Sequence, residues 1–465
     1  MPPMILLFGL AYADKAVLGS AAVAGILEAL QLSVTTINSN GKQVTDLTRY
    51  STATALFYAG YAVSVLPAAL VATRVPNIIH FLSAMIILWG VVTILTPTIH
   101  HWQVLCAQRF FLGMIEATVS PGFVVITRAW YKRREHASRL GIWYSSTGLF
   151  SIFAGVFNYA IASIRGSIAP WKLLYLVAGA FTIVFGLLFL LLVPKDPSSP
   201  PIFCIRAYNI FTPRQRIEFQ NRLGEDDLGL LSNSSADSNW TEVKECFLDM
   251  KMYMFALIAF SIYLTNGAVT AFGTQILRNL HYTGAQAIAL QAPGGFTTAL
   301  SIYITGYISL KVPNSRIILL CLSCLPVMAG ALMIWLGNWK DRGVIFAGLW
   351  MLPIFGASFV QLLSLATANV KGNIKPSIAA GIIFVAYSLS NVSAPYTFKG
   401  SELAQKYRTT WQVIIGAMCA SIFFSVLLGL NMAYANKRKA QVEADGDGGV
   451  VNATDMKDPT FRYVF

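Results

Sequence analysis

Four ionisable residues stand where the surrounding sequence is almost wholly apolar. Asp14 and Lys15 are adjacent in the stretch 4–30, and Arg109 and Glu116 lie seven apart in the stretch 103–127. An ionisable side chain inside an apolar helix costs about 3 kcal/mol on insertion scales, so it faces a bundle interior or a watery cavity. Seven-residue spacing sets Arg109 and Glu116 on one helix face. Lys15 or Arg109 could attract an anion, while Asp14 or Glu116 could take up and return a proton, work that suits a buried carboxyl. The alternative is that these are internal ion pairs holding helices in register.

Aromatic and amide residues share the apolar stretches: Tyr58, Tyr61, Tyr144, Asn266 and Asn391, with Asn158, Tyr263, Gln361 and Tyr387. Polar groups in hydrocarbon need partners. They either line a cavity for an amide- or ureide-bearing solute or bond helix to helix. The charged segment Trp130 to Arg139 offers Arg134, Glu135 and Arg139 as parts of a gate, with Lys375 in a later basic loop; the competing reading is a topology anchor. No metal site is expected. His100 and His101 lack further ligands, and Cys321 and Cys324 sit in an apolar run where thiolates are disfavoured. With no nucleophile–base constellation or phosphate loop, neither an enzyme nor a bound cofactor is expected.

The elements that must position these residues are twelve apolar stretches in two sets of six. The first set is 4–30, 52–73, 77–96, 103–127, 140–162 and 171–193; the second is 252–276, 285–309, 315–336, 343–366, 377–398 and 410–435. At 1.5 Å per residue each can cross the roughly 30 Å hydrocarbon core as a helix. Hydrophobic residues make up 55% of the chain and charged residues only 12%, half the share of a soluble domain, which excludes a soluble globular class. The work implied is movement of something across a bilayer.

The net charge of +13 does not point to nucleic acid, because of where it lies. About 20 of the 34 Lys and Arg fall in alternate loops and the central gap, against about 9 in the other loops. That bias places both termini and the gap in the cytosol. Span one has no basic leader segment and carries Asp14 and Lys15, so it reads as a retained helix rather than a cleaved signal. The sequons at Asn233, Asn239, Asn391 and Asn452 fall in the cytosol or within a span, so glycosylation is not expected there.

The expected organisation is an all-α membrane protein: residues 1–194 as one six-helix bundle, 195–251 as a cytosolic linker, 252–436 as a second bundle and 437–465 as a cytosolic tail. Within the linker, Thr212-Pro213 reads as a helix start for Arg214 to Leu223. Asn239 and Glu242 have capping-box spacing ahead of span seven. Glu225 to Asn239 reads as flexible, and the tail beyond Lys439 as disordered. A weak repeat relates Arg74-Val75-Pro76-Asn77 to Lys311-Val312-Pro313-Asn314, after spans two and eight. Two related halves would place a substrate site between them near mid-membrane. Glycines and prolines such as Gly60, Pro67, Gly113, Gly148, Pro293, Gly295, Pro353 and Pro395 allow close packing and bends.

Several blocks resemble a known family. They are Asp14-Lys15 with Leu18, Ala21 and Gly25; Phe57-Tyr58-Ala59-Gly60-Tyr61 with Pro67; Trp89-Gly90; and Pro293-Gly294-Gly295 followed by Asn369, Gly372 and Lys375. The strongest is Arg109-Phe110-Phe111-Leu112-Gly113 with Glu116-Ala117, Pro121-Gly122, Trp130-Tyr131, Arg134-Glu135 and Arg139. Over nearly its whole length the chain resembles fungal major facilitator superfamily transporters of the anion:cation symporter group, near the allantoate permease-like proteins. The resemblance implies two pseudo-symmetric six-helix bundles and proton-coupled uptake of a small organic anion, such as allantoate or another ureide, nicotinate or pantothenate. It assigns Arg109 and Gly113 to the fourth-helix motif linked to proton coupling, and the plasma membrane as the location. Departures are the segment Thr73 to Asn77, without the acidic residue of the usual gating motif, a long Val34 to Tyr50 loop, and a loosely matching Ser401 to Arg408. The expected partners are a small anionic substrate, protons and the lipid bilayer. Efflux of a metabolite or toxin and a non-transporting nutrient sensor stand as alternatives.

Overall fold

A computed structural model describes the chain except 38–42, 132–134, 165, 195–211, 213, 216–235, 271–272, 274–275, 278–279, 281, 283, 373, 399–401, 403–404 and 445–453. The apolar stretches of the first half fold as α1 (Pro2–Ala21), α2 (Thr48–Arg74), α3 (Ile78–Ile94), α4 (Trp102–Glu116) running on into α5 (Val119–Trp130), α6 (His136–Tyr144) running on into α7 (Ser146–Ala162), and α8 (Pro170–Leu192). The linker contributes α9 (Ala236–Leu248). The second half contains α10 (Met250–Thr270), α11 (Gly284–Ala289) with α12 (Ala292–Lys311), α13 (Arg316–Leu336), α14 (Arg342–Met351) with α15 (Phe355–Asn369), α16 (Lys375–Ser393) and α17 (Arg408–Ala444).

Ten described helices are long and apolar enough to cross a membrane, and α9 with α10, bent by 65°, makes an eleventh. The remaining expected span, 285–309, corresponds to α11 followed by α12, whose 20 residues measure about 30 Å. Several breaks carry residues that cannot continue a regular helix. Gly25, at φ 107°, sits in a π-helical turn Ala22–Ile26 beyond α1. Pro353 and Pro395 fall in 3₁₀ turns, where a missing backbone N–H costs least. The long Val34 to Tyr50 segment contains an antiparallel hairpin, β1 (Val34–Ile37) paired with β2 (Gln43–Asp46), in an otherwise helical molecule.

Backbone contact through glycine sets the tightest crossings. A Cβ at Gly60 of α2 would collide with the Phe110 carbonyl of α4, and one at Gly113 with the Phe57 carbonyl. Gly148 of α7 and Gly295 of α12 meet in the same way, bringing the two halves together. Small residues at such points let helices approach where lipid supplies no hydrophobic drive between them.

One linker expectation is met at its start, and two others, in the linker and the tail, are changed. Thr212 and Gln215 do form a reciprocal capping box, the Gln215 amide donating to Thr212 Oγ1 at 3.3 Å and the Thr212 amide to Gln215 Oε1 at 2.9 Å; the rest of the expected helix to Leu223 lies outside the described residues. Asn239 is no helix cap, because α9 already begins at Ala236. Glu242 instead accepts the amides of Ile374 (2.8 Å) and Lys375 (3.0 Å), capping α16 from a distant part of the chain.

The tail is not free chain. The last helix runs to Ala444, past the expected boundary at 436, and residues 454–465 pack against the end of the second half that also carries the linker. Asp455 is fully buried between Lys251 and Lys375, Asp458 pairs with Lys371 at 2.9 Å, and Phe461 and Tyr463 are buried. Burial alone would raise the Asp455 carboxyl, but Lys251 and Lys375 outweigh it and hold it below the usual carboxylate range. Composition hid this contact, since the partners lie some 80 to 200 residues away along the chain.

Candidate functional site

A cavity lies between the two halves, lined from α1, α2, α6, α7, α10, α12, α14, α15 and α16. Its walls include Tyr12, Lys15 and Ser20 of α1, Tyr58 and Tyr61 of α2, Tyr144 and Asn158 from α6 and α7, and Tyr263 and Asn266 of α10. Gln291, Thr298, Trp350 and Tyr387 add to the second half's share. Along α1, α7 and α10 the lining residues run from mid-helix toward the face opposite the N-terminus and linker. On the terminus-bearing side the cavity is floored by aromatic rings. Tyr144 and Tyr263 bond hydroxyl to hydroxyl across the halves, Phe359 lies 5.5 Å from Tyr144 and 4.6 Å from Tyr263, and Tyr387 lies 5.9 Å from Tyr58 and 5.8 Å from Tyr61.

Lys15 is the one charged side chain among the described residues lining the cavity. Its ammonium pairs with Glu116 Oε1 at 2.7 Å and lies 5.7 Å from the Tyr61 ring. The lysine side chain is 19% exposed and the glutamate 2%, so the pair has one end in the cavity and one in the protein. Glu116 Oε2 has no hydrogen-bond partner among the described residues. The neighbouring Asp14 points away from the cavity and accepts the Trp89 indole N–H at 3.2 Å, its other oxygen unpartnered. Arg109 is 2% exposed and donates to the Tyr175 hydroxyl. It reaches a smaller cleft shared with Lys15, Tyr50, Thr54 and Tyr58.

The sequence candidates therefore separate into groups. Lys15, Tyr58, Tyr61, Tyr144 and Asn266 line the cavity. Asn391 stands behind it, accepting from the Asn266 amide at 2.6 Å and donating to the Tyr387 carbonyl. Asp14, Arg109 and Glu116 form a buried layer behind Lys15. Of the gate candidates, Arg134 lies outside the described residues, Glu135 precedes α6, and Arg139 lies 4.6 Å from the Tyr131 ring. Lys375 is wholly buried, with Glu245, Asp249 and Asp455 at 2.8, 3.1 and 2.9 Å; these partners belong to the linker and tail. Tyr12, Gln291 and Trp350 were not singled out by sequence. Gln291 had a usable signal, an amide two residues before the Pro293-Gly294-Gly295 break.

Helices broken around a central cavity, with buried charge beside it, define a polytopic membrane carrier. The chain belongs to the Major Facilitator Superfamily, whose family model matches residues 4–395. It is a multi-pass membrane transporter of small-molecule substrates. Among curated proteins it is 29% identical over 472 residues to the uncharacterized transporter C757.13 of Schizosaccharomyces pombe, covering 100% of this chain and 85% of that one. It is 24% identical over 484 residues to the allantoate permease of Saccharomyces cerevisiae, covering 99% of this chain and 84% of that one. The fold also matches the crystal structure of the E. coli fucose:proton symporter FucP, with a TM-score of 0.62 at 12% identity, over 92% of this chain and 98% of that one.

Proposed function

We propose that the protein carries a small organic monoanion together with a proton by alternating access, and that allantoate or a related ureide carboxylate is the first substrate to test. The observation that carries this reading is the pairing of the cavity's one charged side chain, Lys15, with the buried Glu116. A substrate carboxylate entering the cavity competes with Glu116 for the ammonium. Glu116, once unpaired in an apolar surrounding, is costly as an anion and takes up a proton. Anion and proton then load together with no net change in buried charge. Asn158, Asn266 and Gln291 offer amides to the polar end of a ureide, and Tyr58, Tyr61 and Tyr263 offer rings to its planar part.

In this reading residues 1–194 and 252–436 are the rocking halves, with 195–251 as a cytosolic linker. Arg109 and Asp14 keep the charged layer in place, and Glu135 and Arg139 belong to the gate on the terminus-bearing side. The basic bias of the loops supports cytosolic termini, so the cavity faces outward. The plasma membrane is the location to examine first. The similarity to the allantoate permease supports the choice of substrate.

The test is uptake of labelled allantoate, nicotinate and pantothenate into yeast lacking its own carriers, with and without a protonophore. Uptake of one of them that collapses with the proton gradient is the expected result. Surface-located protein that takes up none of the three would sink the reading. Protonophore-insensitive uptake would remove the coupling and leave the anion.

A further inference from the structure

We propose that residues 454–465 act as a releasable strap that holds the contact between α16 and α2 shut on the terminus-bearing side. The inference rests on the two-state cycle proposed above but not on any particular substrate.

The strap is fastened at several points, all in the second half and the linker. Asp455 accepts from Lys251 and lies 2.9 Å from Lys375. Lys439 reaches back to the backbone carbonyls of Asp455, Asp458 (2.8 Å) and Phe461 (3.4 Å). The Tyr463 ring sits 4.0 Å from the Lys251 ammonium, and the Tyr463 amide donates to Asn436 Oδ1 at 2.8 Å. Asn369 brackets Val464, accepting from its amide and donating to its carbonyl, each at 2.7 Å.

Those fastenings meet the closure through one residue. Lys375 is the first residue of α16, fully buried, and Asp455 is one of its three carboxylate partners. One residue before it, Ile374 joins Ile378 and Cys246 in an apolar cluster onto which Leu66 and Leu70 of α2 pack. A Cβ on Gly381 of α16 would come within 2.7 Å of Leu66, so the two helices are in close contact there. The chain of contacts therefore runs from the strap to Lys375, to the first turn of α16, to α2 of the other half. Docking costs the ordering entropy of a dozen residues, which opposes the gain from two buried aromatic side chains, the ion pairs and the hydrogen bonds above. The segment is a terminal one with no span of its own, so it can let go without the bundle unfolding.

The test is hydrogen–deuterium exchange by mass spectrometry on the full chain in lipid nanodiscs, comparing wild type with Asp455→Asn and Lys371→Asp. Lys371 is 26% exposed at the edge of the contact, so its variant folds even where Asp455→Asn does not. The expected result is about tenfold faster exchange at 454–465 in each variant. Faster exchange should accompany it in the first turns of α16 and at 62–72 of α2. Two outcomes overturn the proposal. One is a wild-type tail that exchanges as fast as the free synthetic peptide of residues 454–465. The other is a loosened tail with no change at α16 and α2. Exchange needs no substrate, so an absence of allantoate uptake leaves this result standing.

Discussion

The two halves share a plan but divide the chemistry. In the first half four ionisable residues stand well inside the spans, Asp14, Lys15, Arg109 and Glu116, in a layer beside the cavity, while Glu28, His80 and Lys172 sit near span ends. In the second half the six apolar stretches contain one charge, Arg316, at the end of its helix. That half offers the cavity amides, hydroxyls and rings, and gathers its buried charge at the terminus-bearing surface, around Lys251, Lys375, Asp249 and Asp455. In the proposed reading, charge near the cavity selects and couples; at the surface, ion pairs join linker, tail and helix ends. An ion pair in a span is worth keeping where a substrate exchanges with it, since desolvation offsets its Coulomb energy otherwise.

The largest test of that division is Lys15→Met. It should lower kcat/KM for the transported anion by about 100-fold, equivalent to about 2.7 kcal/mol, with protein still reaching the surface. Next, Glu116→Gln should cut accumulation about tenfold while substrate exchange across the membrane persists. Wild-type uptake should rise as external pH falls, and the variant's pH profile should be flat; a wild-type profile in Glu116→Gln would move coupling elsewhere, Asp14 being next. In the second half, Asn266→Ala and Asn391→Ala should each raise KM by about three- to tenfold, near 1 kcal/mol for one hydrogen bond. If either matched Lys15→Met, the asymmetry between the halves would be wrong. The last effect is read on stability rather than on transport and concerns packing. Gly113→Ala should lower the melting temperature in detergent, by about 1–3 kcal/mol of stability, because its Cβ meets the Phe57 carbonyl. Gly416→Ala, with open space around it, should leave the melting curve unchanged.

Much of this arrangement was legible in the sequence because hydrocarbon imposes long apolar runs and makes every interior charge conspicuous. The spans, the buried layer of Asp14, Lys15, Arg109 and Glu116, and the cavity positions of Tyr58, Tyr61, Tyr144 and Asn266 follow from that one constraint. What sequence missed depends on distant partners. Glu242 read as a local cap, yet its partners lie 132 and 133 residues away. Lys375 read as a gate candidate from its loop, but the sequence did not show that its partners come from the linker and tail. The tail read as disordered from its polarity alone; the spacing of Asp455, Asp458, Phe461 and Tyr463 was the available signal that it has something to dock against.

The floor of the cavity has a thermal consequence. At this floor the halves meet through Tyr144 against Tyr263 and Phe359, and Tyr58 and Tyr61 against Tyr387, by ring contact and one phenol pair. Burying aromatic surface changes heat capacity, so the balance between the two facing states should bend with temperature instead of following a straight van't Hoff line. Salt should barely touch it, although the ion-fastened tail should respond. Apolar contact weakens on cooling, so a chilled carrier loses part of its closure before any substrate arrives.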